Sequence, residues 1–535
     1  MNNTVLEFDV PMRDGVSLYT LVQIPEGRDP GDRLPIVLKR NPYVSKDVDL
    51  GFFRGEDTHG YAVVTQHCRG CGRSGGDCVP YDFERADGLD TLDWIRAQPF
   101  YCGEIYLFGV SYLSSVHFAY LDTNPPDVKG AVLCVQDTER YNCVFRNGVY
   151  KIGLAGCWSL GMFRKNTPTD AEKPIVPEMF RTLPLAGMTR HVFGEPAPAI
   201  EESFRHPESG DPYWASPAGG SDYRRALSAS TMPVLLVTSF YDIYTQGILE
   251  MWDRLPAERR ANCALLVTPF DHDFNPSPDR KFPEGCGFPD GRLADAIPAF
   301  DYNWFDAVRG GRLHGLVHPG ETTFYRLFED RWHSAPRVAD GPREFRLHLN
   351  TGRKLDASPC EPAEIRYRYN PFAPASFPGG VCNNFGGMLP QDPPNSRFDI
   401  VSFVSGPLAV DTVFEGGIEC ELHVRSEAPD TGFYVRVDLV RDGVALSLRD
   451  DICHLRHFHP DYEPGAEAVI RFLMAPHSFL ARKGDCIRVD VSSSCMPHFV
   501  PHTNRAGLYC DQTGADPTVN TILTGKSFLV LHALA

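Results

Sequence analysis

The chain has 535 residues, long enough for two or three domains and a sizeable core, with the 42% hydrophobic and 23% charged content of a soluble globular protein. Lys and Arg number 52 against 69 Asp and Glu, and the resulting net charge of −17 argues against nucleic acid or an anionic membrane as partner. No apolar run approaches the ~20 residues that span a bilayer. The start "MNNTVLEFDVPMRDG" lacks the basic and apolar segments of a secretory signal, so the cytoplasm is the expected location.

Taken in chain order, short apolar runs bounded by turn residues predict strands at 34–38, 61–65, 105–108, 130–135, 234–238 and 264–267. A helical pattern lies over 86–97, where Leu89, Leu92 and Ile95 share one face. Continuous apolar strands alternating with helices predict a parallel sheet covered on both faces. From about residue 140 to 229 the strand rhythm is lost. That stretch holds Trp158, Met162, Phe163, Phe180, Met188 and several prolines, is too long for an ordinary connection, and predicts an inserted helical cap. After about Pro342 period-two alternation takes over in "EFRLHLN", "EIRYRYN", "ECELHVRS", "FYVRVDLVR", "VIRFLM", "CIRVDVSSS" and "SFLVLHA", predicting an antiparallel sandwich. The Pro/Gly-rich stretch "NPFAPASFPGGVCNNFGGMLPQDPPNS" is expected to pack over the interface between the two parts.

Sixteen cysteines are scattered without a disulfide-framework spacing and read as small buried hydrophobes. Cys68, Cys71 and Cys78 cluster in "CRGCGRSGGDC", but a zinc ribbon needs a second Cys-x-x-Cys pair and the chain has none. A glycine-rich loop is the expectation there.

The segment "FGVSYLSS" carries the first chemical signal. Ser111 follows a predicted strand, with Gly109 two positions before it to relieve crowding on a tight turn. A simple nucleophile elbow also wants a small residue two positions later, where this chain has Leu113. A serine nucleophile needs a base and the base an orienting carboxylate, in the order Ser, acid, His for this sheet type. "PVLLVTS" ends in "FYDIY", placing Asp242 at the carboxyl end of its strand; "CALLVTPF" ends in "DHDF", placing His272 just beyond the next. Catalytic groups in open parallel sheets gather at such ends. The bland readings are a helix-capping role for Asp242 and a solvated loop or weak metal site for "DHD".

Together, "VPMRDGVSL", "RNPY", "YAVVTQHCRGCGRSGG", "FGVSYL", "FYD" and the strand-end histidine resemble the cocaine-esterase and X-prolyl dipeptidyl-peptidase family of serine hydrolases. So do "YNPFAPASFPGG", "APDTGFYVRV" and "FLARKGDCIRVDVSSS" in the C-terminal half. The resemblance implies an α/β-hydrolase domain (1–139 and 230–341), a helical cap (140–229) and a C-terminal all-β jelly-roll sandwich (342–535). It places the nucleophile on Ser111, the acid on Asp242 and the base on His272, with an oxyanion hole from the Tyr43 hydroxyl and the Tyr112 amide. It implies no cofactor or metal. The sequence departs from the family pattern at Ser114 (usually Gly), His67 (usually Asp) and Phe240 (usually Trp).

Trp158, Tyr244 and Phe240 are candidate pocket walls. The expected substrate is a small-molecule carboxylic ester, since a chain of this length lacks room for the extra N-terminal domain of the large X-prolyl peptidases. An amide-cleaving acylase, amino-acid ester hydrolase or peptidase is the alternative; it would want a carboxylate cluster for the substrate's ammonium, which Asp47–Asp49 or Glu201–Glu202 would supply. An acyltransferase or cyclase with the same residues, and a binding protein with an inert hydrolase half, are the remaining classes. The jelly-roll and cap surfaces are both candidates for a homodimer contact.

Overall fold

The computed structural model describes residues 3–44, 57–136, 138–156, 158, 162, 182–194, 196, 198–215, 223–272, 300–310, 317–382 and 386–534. The strands of the first half are β1 (Thr4–Pro11), β2 (Ser17–Ile24), β3 (Leu34–Asn41), β4 (Ala62–His67), β5 (Tyr101–Val110), β6 (Val128–Cys134), β7 (Phe145–Arg146), β8 (Val149–Tyr150), β9 (Val234–Ser239), β10 (Cys263–Thr268), β11 (Thr322–Arg326) and β12 (Arg331–Ala335). Ten of them form one sheet in the order β1-β2-β4-β3-β5-β6-β9-β10-β11-β12. From β4 through β11 the pairs are parallel; β1, β2 and β12 add antiparallel edges. The six predicted strands are its central members. Every residue of β3, β9 and β10 is buried, as expected for strands covered on both faces.

Helix α1 (Glu84–Arg96) packs with Leu92 and Ile95 fully buried, and α2 (Tyr112–Phe118) follows β5 directly. Between β6 and β9 the described residues form short helices, among them α3 (Arg140–Val144), a π turn at Ile152–Gly156 and helices at Met188–Phe193 and Tyr223–Ala229. The small β7–β8 hairpin is the part of this insertion that helical expectation did not include. Phe163, Phe180 and Asp47–Asp49 lie outside the described residues.

The C-terminal part is all β apart from short turns of helix: β13 (Arg343–Asn350), β14 (Lys354–Asp356), β15 (Ala363–Tyr369), β16 (Val401–Ser405), β17 (Thr412–Ser426), β18 (Gly432–Arg441), β19 (Val444–His454), β20 (Ala468–Ala481), β21 (Cys486–Ser492), β22 (Thr518–Thr524) and β23 (Phe528–Ala533). The seven alternating segments fall in β13, β15, β17, β18, β20, β21 and β23. Ten of the eleven strands follow one another in the order β15-β22-β17-β23-β13-β14-β16-β21-β18-β19, and β20 branches off, pairing with β17 on the edge opposite β22 and β23.

The two parts are tied together by buried polar contacts. Arg326 of β11 bonds Ser478 Oγ and Glu415 Oε2 at 3.1 and 2.9 Å, and Arg146 pairs with Asp451. The Pro/Gly-rich stretch lies against the β part, with Met496 N–H donating to Ala375 O and Gln391 N–H to Ala445 O. Its Val381 and Cys382 also line a cavity of about 310 Å³ shared with Lys151 of the insertion and Tyr244 of the first part.

Candidate active site

β5 runs straight into α2 through Ser111, whose φ of 57° and ψ of −127° lie where a non-glycine residue rarely goes. Such a conformation costs about 1–3 kcal/mol and persists only where the surroundings impose it. Here Ser111 N–H donates to Cys134 O at the end of β6 (2.8 Å), and Ser111 O accepts from Ser114 N–H (2.9 Å). A Cβ on Gly109 would sit 2.2 Å from the Leu113 carbonyl oxygen, so glycine is demanded by the backbone of the helix folding back over the strand. Leu113 is accommodated because that contact is to its backbone. The Ser114 hydroxyl accepts from Cys134 N–H (2.9 Å) and donates to Cys134 O (3.0 Å), pinning the elbow to β6. Behind it, the buried His117 ring bonds Phe108 O (3.2 Å) and Tyr120 Oη (2.6 Å); burial pushes its pKa down to about 3, so the ring is neutral.

Asp242 and His272 follow the ends of β9 and β10, neighbouring parallel strands, and both reach toward Ser111. Asp242 is fully buried; Oδ1 accepts from His272 Nδ1 (2.8 Å) and Oδ2 from the Thr238 hydroxyl (3.0 Å). With Nδ1–H committed to the carboxylate, Nε2 is the lone-pair nitrogen, and it lies 3.0 Å from Ser111 Oγ. The three residues therefore form a continuous hydrogen-bond chain from carboxylate to hydroxyl.

On the other side of Ser111 stands Tyr43, placed by an Asx turn in which Tyr43 N–H donates to Asn41 Oδ1 (2.9 Å) just after β3. Tyr43 is 40% exposed overall, and its hydroxyl lies 3.4 Å from Ser111 Oγ and accepts from Trp158 Nε1–H at 3.2 Å. Burial of the hydroxyl raises its pKa, and hydrogen bonds from Ser111, Trp158 and the Tyr112 backbone act in the opposite direction. A phenol and a backbone N–H thus converge beside the serine. The Tyr112 side chain turns away, donating to the buried Glu84 and accepting from Tyr81 N–H (2.9 and 2.8 Å).

The pocket walls are aromatic. Trp158 packs on Tyr112 and Tyr81 with ring centroids 5.5 and 6.0 Å apart, and the Tyr244 ring lies 5.6 Å from that of His272. Arg140 lies over Tyr81 and Trp158 and bonds the Tyr81 hydroxyl (2.9 Å) and Cys143 Sγ (3.0 Å), which in turn contacts Tyr244 Oη (3.2 Å). Sequence reasoning missed Glu84, Tyr81, Arg140 and Cys143, since no local motif marks them.

Phe240 is corrected from pocket wall to domain contact: it is fully buried and stacked on His477 of β20, with centroids 4.5 Å apart and planes 13° off parallel. Glu201 and Glu202 are not brought to Ser111 either. Glu201 accepts from Thr189, while Glu202 faces Arg205 and His206 just beyond the end of its own helix. His67 is absorbed by its loop, its Nδ1 accepting from Arg73 N–H (3.2 Å), and burial lowers its pKa to about 4.

The described cysteines are all free thiols; Cys71 and Cys78 approach to 3.7 Å in the glycine-rich loop. Asp450, Cys495 and His498 bring three potential metal donors within 4.8 Å of one another. Asp450, however, already accepts from Tyr434 Oη and Val381 N–H, and the Arg436 guanidinium beside Cys495 opposes a further cation. That cluster is a hydrogen-bonded junction.

Residues 14–273 match the family model of the X-Pro dipeptidyl-peptidase (S15 family), and residues 327–529 that of the X-Pro dipeptidyl-peptidase C-terminal non-catalytic domain. Cocaine esterase from Rhodococcus sp. (strain MB1 Bresler) is 27% identical, covering 93% of this chain and 92% of that one. Among solved structures, the fold is shared with an aminopeptidase from a Thaumarchaeota archaeon of marine sediment (TM-score 0.83, 17% identity, covering 100% and 97% of the two chains). It is shared also with an α-amino acid ester hydrolase (TM-score 0.81, 18% identity, 99% and 96% coverage). A CocE/NonD family hydrolase from Staphylococcus aureus aligns at a TM-score of 0.66 with 16% identity, over 100% and 94% of the chains. With these two matches in order along one chain and a homologue aligned over most of both lengths, the protein carries the catalytic domain of the X-Pro dipeptidyl-peptidase (S15) family followed by that family's C-terminal domain, is homologous to cocaine esterase, and is a serine hydrolase acting on ester or amide bonds.

Proposed function

We propose that the protein hydrolyses a carboxylic ester of a small molecule through an acyl-enzyme on Ser111. The observation that carries this is the chain Asp242–His272–Ser111, with bonds of 2.8 and 3.0 Å, facing the Tyr43 hydroxyl. His272 Nε2 takes the Ser111 proton as Oγ attacks the carbonyl carbon. The developing oxyanion is held by the Tyr43 hydroxyl and the Tyr112 N–H. As the carbon–oxygen bond to the leaving group breaks, Nε2–H protonates the departing alcohol. Water, deprotonated by the same nitrogen, then attacks the acyl-enzyme and returns Ser111. Asp242, fixed by Thr238, keeps the proton on Nδ1 throughout.

The walls of Tyr43, Trp158 and Tyr244 suit a flat or aromatic, uncharged group. The homologous cocaine esterase supports the ester reading. No described helix is long and apolar enough to cross a membrane, and the free thiols fit a reducing cytoplasm.

The test pairs a chromogenic ester with the anilide of the same acyl group, with Ser111→Ala as the blank. Ester turnover alone, lost in Ser111→Ala, supports the proposal. Equal turnover of both moves the protein to the amide-cleaving acylases and peptidases. Ester turnover that survives Ser111→Ala refutes the nucleophile.

A further inference from the structure

Arg449, on β19 of the C-terminal part, is fully buried. All three of its nitrogens donate to carbonyl oxygens: Nε to Ala475 (3.1 Å), Nη2 to Pro476 (2.7 Å) and Nη1 to Phe240. Phe240 O lies two residues before Asp242. The next residue, Tyr241, is likewise fully buried and donates from its hydroxyl to Ser447 O on the same β19 strand (2.7 Å). The intervening side chain, Phe240, is stacked on His477, and the Arg449 guanidinium lies 5.6 Å from its ring centroid. Tyr241 N–H donates to Phe270 O (3.2 Å), which ties the same turn to the segment bearing His272.

A buried guanidinium satisfied only by carbonyls is an expensive way to join two segments. Burial lowers the Arg449 pKa to about 10. Apolar packing would join the domains at less cost, so the retained charge calls for a local explanation. With Nε and Nη2 held by the Ala475 and Pro476 carbonyls, the planar guanidinium presents Nη1 to the Phe240 carbonyl in a fixed direction, which an apolar contact does not.

We propose that the C-terminal part is a working component of the active site: Arg449 and Tyr241 clamp the turn 240–242, and Arg449 is a positioning residue that sets the orientation of Asp242 toward His272. This rests on Asp242 being the catalytic acid, and the experiment separates the two.

Steady-state kinetics on the chromogenic ester would compare Arg449→Met, Arg449→Lys, Tyr241→Phe, Asp242→Asn and the double variant Arg449→Met/Asp242→Asn, each shown folded by circular dichroism. A misplacement of the acid predicts that Arg449→Met lowers kcat about 10- to 100-fold with KM within about threefold. The acidic limb of the kcat/KM profile moves to lower pH, because a less well held carboxylate supports the imidazolium less. Arg449→Lys restores part of the rate and Tyr241→Phe gives a smaller loss in the same direction. The decisive result is the cycle: if Arg449 acts through Asp242, adding Arg449→Met to Asp242→Asn costs little more. If Arg449→Met reduces kcat by the same factor in both backgrounds, or is silent while Asp242→Asn is crippling, the clamp is refuted and the acid assignment stands. If Asp242→Asn is itself silent, the acid assignment fails. Should Arg449→Met not fold, Tyr241→Phe carries the same cycle.

Discussion

Tyr43→Phe removes one oxygen atom and leaves the ring in place. In the resting enzyme that hydroxyl is 3.4 Å from Ser111 Oγ and receives hydrogen bonds from the Trp158 indole and the Tyr112 amide. When Oγ bonds to the substrate carbon, the carbonyl oxygen enters the space these donors face, and the phenol O–H turns to it. Loss of one such donor costs about 2.7–4 kcal/mol of transition-state stabilisation, or about 10²–10³ in kcat. The ground-state carbonyl carries little charge, so KM is expected to change by no more than about threefold. Trp158 loses its acceptor, but its indole is only partly buried and water replaces the phenol, so the melting temperature holds. The assay is kcat and KM on the chromogenic ester beside a thermal melt. A kcat within about threefold of wild type would refute the oxyanion role of Tyr43.

Asp242→Asn keeps the shape of the acid but misdirects the His272 tautomer, and a loss of about 10⁴ in kcat is expected from steady-state assay. Gly109→Ala drives a methyl to 2.2 Å from the Leu113 carbonyl oxygen, so α2 must shift off β5; little soluble protein, or soluble protein without fluorophosphonate labelling of Ser111, is expected. His117 titrates at about 3 when folded against about 6.5 when unfolded. Its folded pKa is depressed, so the unfolded chain binds the extra proton. Its contribution is whole above pH 6.5 and falls as pH drops toward 3, by up to ~1.4 kcal/mol per unit. Urea melts from pH 7 to 4 should show a shallower acid loss for His117→Gln than for wild type, and equal slopes would contradict the assignment.

The parallel strands were legible because each is buried on both faces and therefore reads as an unbroken apolar run. That Ser111, Asp242 and His272 come together was legible because all three follow such runs, and strand ends are where a parallel sheet gathers its side chains into one crevice. β19 was not legible: "VALSLRDDICH" buries Arg449 and Asp451 around a half-buried Asp450, and that polar run breaks the alternation a strand search relies on. The same break hid the Arg449 contact. Phe240 was misread for a related reason. Sequence adjacency to Asp242 suggested the pocket, but the side chain that covers it, His477, comes from a strand more than two hundred residues later. Arg140 and Cys143 sit in an insertion whose sequence carries no period at all.

The departures from the family pattern make one physical point between them. Ser114 fills a glycine position, and its hydroxyl exchanges both hydrogen bonds with Cys134, so the elbow gains a polar latch to β6. His67 fills an aspartate position, and its neutral ring accepts from Arg73 N–H inside a closed loop whose Gly72 has no room for a Cβ beside it. Phe240 fills a tryptophan position, and its ring is stacked on His477. Each substitution is compensated by partners in this chain, and none removes a group from the Asp242–His272–Ser111 line or from Tyr43. The walls formed by Tyr81, Arg140, Cys143, Trp158 and Tyr244 are where side chains of the insertion meet those of the first part, so substitutions there are expected to change which substrates are accepted, as relative kcat/KM on a panel of esters would show.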